Sequence, residues 1–191
     1  GIDAHAHIEQ LSGMGVMNAD TFASGTAAAA LGGTTTVIPF APQHQGKSLA
    51  KVVEDYHALA KRGAVIDYAM HMIIADPTEK VLTEELPTLI RAGHGSIKIF
   101  MTYEKTKVDD EQLLDVLLAA RADKARVGVH AENNGMISWM GRRLVAKGYT
   151  APKYHTVYHP RLAEAEAFHR VIACADLLDQ PIIIYHVSTA E

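Results

Sequence analysis

Ser96-Ile97-Lys98-Ile99-Phe100-Met101, then a helical stretch carrying Leu113, Leu114, Leu117 and Leu118, then Arg126-Val127-Gly128-Val129-His130: the order of these three segments decides the fold. The two outer runs are nearly continuous in Val, Ile, Phe and Met instead of alternating with polar residues. That is the pattern of parallel strands covered on both faces. Asp109 or Asp110 stands where a helix cap belongs, ahead of leucines at helical spacing. Strand, helix and strand within about 30 residues make one crossover unit.

The same unit repeats outward. Further strand-like runs lie at Gly1 to Ile8, Thr34 to Phe40, Ala64 to Ile74 and Pro181 to Val187. Thr21 to Leu31, followed by Gly32 and Gly33, reads as a helix. So does the stretch from Ser48 to Arg62, with Gly63 placed as a C-terminal glycine. The last interval is longer and holds two helical patterns, Gly135 to Lys147 and Arg161 to Leu178, around a Tyr- and His-bearing loop from Tyr149 to Pro160. Strict alternation of strand and helix implies a parallel α/β architecture. An open doubly wound sheet is the other arrangement of this kind, but no Gly-rich phosphate loop follows the first strand. The reading is therefore a partial (β/α)8 TIM barrel with about six of its eight strand-helix units, a full barrel needing about 250 residues. The chain opens at Gly1 on one such run and stops at Glu191 just after another, which predicts a single partial domain cut from a longer protein.

Composition excludes several function classes. A formal net charge of −4 with 21% charged residues gives no electrostatic reason to expect nucleic acid or an anionic membrane as partner. No apolar run reaches the roughly 18 residues of a spanning helix, and the first residues are not those of a secretory signal. The one cysteine, Cys174, rules out an internal disulfide and a Cys-rich zinc module. A cytoplasmic location is the expectation.

Histidines collect at the strand ends. His5 and His7 are two apart on the first run, so both imidazoles point to one face. His130 ends the fifth run and His186 lies near the end of the sixth. In a parallel barrel those ends converge on one mouth, where histidines can chelate metal. Lys98 interrupts an otherwise apolar strand. Burial there depresses its pKa, and a neutral amine can take up carbon dioxide to form a carbamate whose two oxygens bridge two ions. His44, His57, His94, His155, His159 and His169 fall in loops or helices and read as solvated or structural, while His71 lies inside the third run and can reach the core.

The order His5-x-His7, Lys98, His130, His186 resembles the ligand order of the amidohydrolase superfamily. The wording of the blocks Gly1 to Gln10, Ser96 to Tyr103, His130-Ala131-Glu132-Asn133 and His186-Val187-Ser188 is similar to the cyclic amidohydrolases, most of all to bacterial D-hydantoinases and dihydropyrimidinases. The resemblance implies a homotetrameric enzyme with two divalent ions, zinc, that opens the ring of dihydropyrimidines or 5-substituted hydantoins to N-carbamoyl amino acids by means of a hydroxide bridging the ions. It implies that His5 and His7 hold one ion and His130 and His186 the other, with carboxylated Lys98 between them. It also implies that Tyr103 hydrogen-bonds the developing oxyanion. Met14, Val16 and Met17, with the Tyr103 loop, would shape a pocket for the substrate's exocyclic group. A further aspartate ligand from the eighth strand, which shuttles the proton, and a small β-sandwich would lie outside these residues, so this piece alone is expected to be inactive. An allantoinase- or dihydroorotase-type ring hydrolase is the nearest alternative. A non-catalytic scaffold of the dihydropyrimidinase-related kind is further off, because every visible ligand position is filled.

Overall fold

The computed structural model describes residues 1–12 and 15–191. Strand β1 (Ile2–Ala6) leads to helix α1 (Phe22–Leu31), strand β2 (Thr36–Pro42) to helix α2 (Leu49–Gly63), and strands β3 (Asp67–Tyr68) and β4 (His71–Ile73) to a π-helical turn (Val81–Glu85) that runs into α3 (Leu86–Arg91). Strand β5 (Ser96–Phe100), α4 (Asp110–Ala122), β6 (Arg126–His130) and α5 (Asn134–Ala146) follow. A 3-10 turn (Pro152–Tyr154), the short α6 (His155–Tyr158), α7 (Arg161–Leu178) and β7 (Ile182–Ile184) complete the order.

Every strand pair is parallel, in the order β1-β2-β4-β5-β6-β7, with β3 beside β2. The expected strand Ala64 to Ile74 is split into β3 and β4, but both keep one register on β2, with Thr36 opposite Asp67 and Phe40 opposite His71. It is one strand with an interrupted ladder. The sheet curls far enough for the His5 ring, on β1, to stand 4.8 Å from that of Tyr185, just past β7. The architecture is an open half-barrel of strand-helix units, the partial TIM barrel expected.

Capping explains where the helices begin. Thr21 accepts from the Ser24 amide and Ser24 reciprocates, Ser48 accepts from Lys51, and Asp109, not Asp110, forms a capping box with Gln112. Helix α1 ends in a Schellman motif: the Thr34 amide donates to Ala29 and the Gly33 amide to Ala30, with Gly33 at φ +87°. Gly63 has a different reason from the one expected. It is the last residue of α2 with no left-handed turn, and a Cβ there would stand 3.0 Å from the Ala23 nitrogen, so the glycine permits close approach of α1 and α2. The turn at Val81–Glu85 and α3 were not legible as helical patterns.

Glu85 anchors this part of the barrel. It is 9% exposed, and one carboxylate oxygen accepts from the Ala50 amide and the Ser48 hydroxyl, both at 3.1 Å, at the start of α2. Burial raises its pKa, but those hydrogen bonds and Lys80 outweigh it and leave the pKa below the usual 4.5. A depressed carboxylate pKa contributes stability above about 4.5 that is lost as the pH falls through the folded value. Glu85→Gln is therefore expected to cost roughly 1–3 kcal/mol at pH 7. The gap from the parent protein should close as the pH falls from about 4.5 through the lower folded value, as followed by thermal unfolding across pH.

Between sheet and helices lies the core. Ile97, Ile99, Val127 and Val129 are fully buried with Leu113, Val116 and Leu117 of α4. By strand alternation, Lys98 and Phe100 of β5 and Gly128 and His130 of β6 face the other way, into the barrel. In register, Lys98 lies opposite Gly128 and Phe100 opposite His130.

Candidate metal centre

The inward face of β5 and β6 builds the floor of the site. A Cβ on Gly128 would stand 2.1 Å from the Tyr185 ring, so glycine is required for that ring to lie across the barrel interior. The ring centre is 4.3 Å from the Lys98 Nζ, and the Phe100 and Phe40 rings are 4.6 and 5.8 Å away. Lys98 is 1% exposed, and its amine has no hydrogen-bond partner among the described residues.

Around this amine the strand ends deliver four imidazoles. The β1–β2 pairing slips between Asp3 and Ala6, the stretch that holds His5. Ring centres are 5.5 Å apart for His5 and His7, 5.5 Å for His5 and His186, and 4.5 Å for His130 and His186. Tyr103 closes the rim with its ring 5.1 Å from that of His130. Backbone strain gathers here too: Glu9 (φ +46°), Tyr103 (φ +70°) and His186 (φ +40°) occupy the left-handed region that side chains avoid. A tight turn holds Tyr103 there, its carbonyl accepting from the Thr106 and Lys107 amides.

Burial shifts several titratable groups of the site toward their neutral forms. Burial lowers the Lys98 pKa to about 7. Burial, with Lys98 and the neighbouring imidazoles, lowers His5 to about 4 and pushes His186 below its ordinary range. Burial raises the Tyr103 hydroxyl, helped by Glu132 and Tyr158, so it stays protonated and able to donate. Two imidazoles are already fixed by a hydrogen bond. His7 Nδ1 meets the Gln10 side-chain oxygen at 2.6 Å, and His130 Nε2 meets Glu132 at 2.7 Å. The acceptors place the protons on those nitrogens and leave His7 Nε2 and His130 Nδ1 as lone-pair donors.

Residues 1–167 match the family model described as the amidohydrolase family. The chain belongs to the amidohydrolase family. It is 43% identical over its whole length to a D-hydantoinase of Ralstonia pickettii and 40% identical to that of Geobacillus stearothermophilus. The solved dihydropyrimidinase from Brevibacillus agri superposes with a TM-score of 0.95 at 38% identity over the whole chain. The chain spans 42% of the first of these proteins and 41% of the other two.

The side chains gathered at the strand ends are of the kinds that bind divalent metal ions. The buried amine of Lys98 is an orphaned polar atom, which costs free energy unless a bound group satisfies it. Imidazoles are the commonest metal donors: those of His5 and His186 register the Lys98 charge, and those of His7 and His130 adjoin them. Yet among the described residues no three His, Cys, Asp or Glu side chains are gathered closely enough to hold one ion.

Two adjoining cavities open at the strand ends. One, of about 680 Å³, is bordered by Tyr103, His130, Glu132, His159, Tyr185 and His186. The other, of about 600 Å³, is bordered by His7, Gln10, Leu11, Asn18, Phe100 and Tyr103. Tyr103 is common to both. Of the loop residues expected in the pocket, Val16 and Met17 are exposed and lie outside these linings. Met14 is outside the described residues. Polar residues of the same loop, Gln10 and Asn18, border the cavity instead.

Sequence reasoning missed Glu132, His159, Gln10 and Tyr185. Glu132 was visible as the acid two residues beyond His130, and Tyr185 as the neighbour of His186. His159 carried no signal, because its partner lies 27 residues away across a loop. His71 serves structure: its nitrogens meet the Ser96 hydroxyl at 2.6 Å and the Ala4 carbonyl at 2.9 Å, tying β4 to β5 and β1. No helix of the described residues is long and apolar enough to cross a membrane.

Proposed function

We propose that the protein carrying this chain hydrolyses the ring amide bond of 5-substituted hydantoins or dihydropyrimidines at a two-ion centre. The observation that carries the reading is the unpartnered, deeply buried Lys98 amine among four strand-end imidazoles. The similarity to D-hydantoinases and a dihydropyrimidinase supplies the substrate class.

In this reading the Lys98 amine attacks carbon dioxide. A nitrogen–carbon bond forms, one carbon–oxygen π pair becomes the carboxylate, and a proton leaves to solvent. A pKa near 7 makes the attacking free amine abundant at neutral pH. His5 with His7, and His130 with His186, would hold two zinc ions, with carboxylated Lys98 as a further ligand. When bound, such ions supply an activated water and polarise the substrate carbonyl.

The chain's own residues do the rest. Gln10 and Glu132 keep His7 and His130 in fixed tautomers. The Tyr103 hydroxyl, held protonated by burial, donates to the oxygen on which negative charge develops. The ring substituent points into the cavity between Leu11 and Phe100, beside the loop that carries Val16 and Met17.

The complete zinc-loaded protein, assayed on a 5-substituted hydantoin, dihydrouracil, allantoin and dihydroorotate, is expected to open the first two rings. Preference for allantoin or dihydroorotate would move it to another ring hydrolase of the family. Inertness on all four despite bound zinc would contradict the substrate class.

A further inference from the structure

Glu132 lies between two histidines. One carboxylate oxygen meets His130 Nε2 at 2.7 Å and the other meets His159 Nδ1 at 2.8 Å, and all three side chains are less than one-fifth exposed. His159 is itself held. Its ring lies 4.6 Å from the His155 ring and 4.5 Å from the Tyr158 ring, the latter edge-on. Tyr158 occupies space that a Cβ on Gly141 of α5 would enter at 2.4 Å. A packed line thus runs from α5 through Tyr158 and His159 to Glu132, and ends on a ring of the centre.

We propose that Glu132 and His159 are positioning residues. Glu132 fixes the His130 ring with its Nδ1 free as the donor, and His159 fixes Glu132. The inference rests on the metal reading above and adds to it the source of one ligand's orientation. A ring free to rotate between two nitrogens presents the wrong one part of the time. A carboxylate on the outer nitrogen removes that freedom and makes the inner nitrogen a stronger donor, and loss of such partners weakens metal binding about 10–100-fold. The segment from Tyr149 to Pro160 thereby acquires a task at the centre although it supplies no ligand.

The test measures zinc affinity of the complete protein by chelator competition, and the His130 tautomer of the metal-free protein by imidazole nitrogen NMR. Glu132→Ala and His159→Leu should each weaken zinc binding about 10–100-fold, with His130 passing from one tautomer to a mixture. His159→Gln, whose amide can donate to the same carboxylate oxygen, should restore most of the affinity. Metal-free unfolding midpoints identify any variant that fails to fold, and His159→Ala, with the same expected and contradicting outcomes, carries the test if His159→Leu does. Parental affinity and a single tautomer in His159→Leu would overturn the proposal. Lost affinity in Glu132→Ala alone would overturn it too, by making Glu132 a ligand itself. A parent protein that takes up no zinc overturns the metal reading, whereas one that takes it up equally with and without His159 overturns only this inference.

Discussion

Lys98→Met is expected to leave the complete protein without bound zinc and, in the metal-free state, to raise its unfolding midpoint at neutral pH. The two effects have one cause. Lys98 is fully buried and its amine meets no hydrogen-bond acceptor. Three aromatic rings within 5.8 Å compensate the charge only weakly. Its pKa falls from 10.5 to about 7, and at about 1.4 kcal/mol per unit the buried lysine costs folding on the order of 5 kcal/mol where it must be charged. A lowered lysine pKa means that the unfolded chain binds more protons between pH 7 and 10.5, so stability rises through that window. Methionine has similar length and no charge, and should abolish both the cost and its pH dependence. Melting in chelator at pH 7 and pH 10 checks this: the parent gains on the variant as pH rises. A variant that melts below the parent by the same margin at both values would contradict the assigned cost. Added short carboxylates should restore part of the zinc to Lys98→Ala, where a cavity admits them, by standing in for the carbamate.

Tyr103→Phe carries the second large effect, this time on turnover. The hydroxyl is kept protonated by burial and its neighbours, and the residue is held at φ +70° by a turn whose amides both point at its own carbonyl. A side chain kept in that conformation is pre-aimed, so no reorganisation is needed when the substrate oxygen becomes negative. Loss of one such donor lowers kcat about 10²–10³-fold. Phenylalanine keeps the ring against Phe100 and His130, so zinc content should be unchanged. Unaltered kcat would remove Tyr103 from the chemistry. Lost zinc would instead make it part of the metal scaffold.

Much of this was legible in the order of residues. The continuous apolar runs around Lys98 and His130 identified parallel strands, because strands buried on both faces have no solvent side to mark with polar residues. Strand alternation then placed His5 with His7, and turned Lys98 away from Ile97 and Ile99. The caps at Thr21, Ser48 and Asp109 were equally plain, since the capping side chain bonds only three residues ahead.

What stayed hidden depends on long-range contact. His159 and Glu132 meet across a loop, and Tyr185 finds its place only because Gly128 on a neighbouring strand has no side chain. Gly63 shows the same limit from the other side. A glycine at a helix end looks like a stop signal, whereas here the nearest atoms of another helix dictate it. The left-handed backbone at Glu9, Tyr103 and His186 was equally invisible, because none of these residue types advertises it.

In the proposed centre, carboxylated Lys98 would join His5, His7, His130 and His186 in holding two ions. This arrangement is tested most directly by zinc analysis of the complete protein prepared with ¹³C-bicarbonate, combined with ¹³C NMR. Two zinc ions per chain are predicted, together with one carbamate carbon that disappears in Lys98→Met. Two zinc ions without a carbamate signal, or a carbamate signal that survives Lys98→Met, would contradict it.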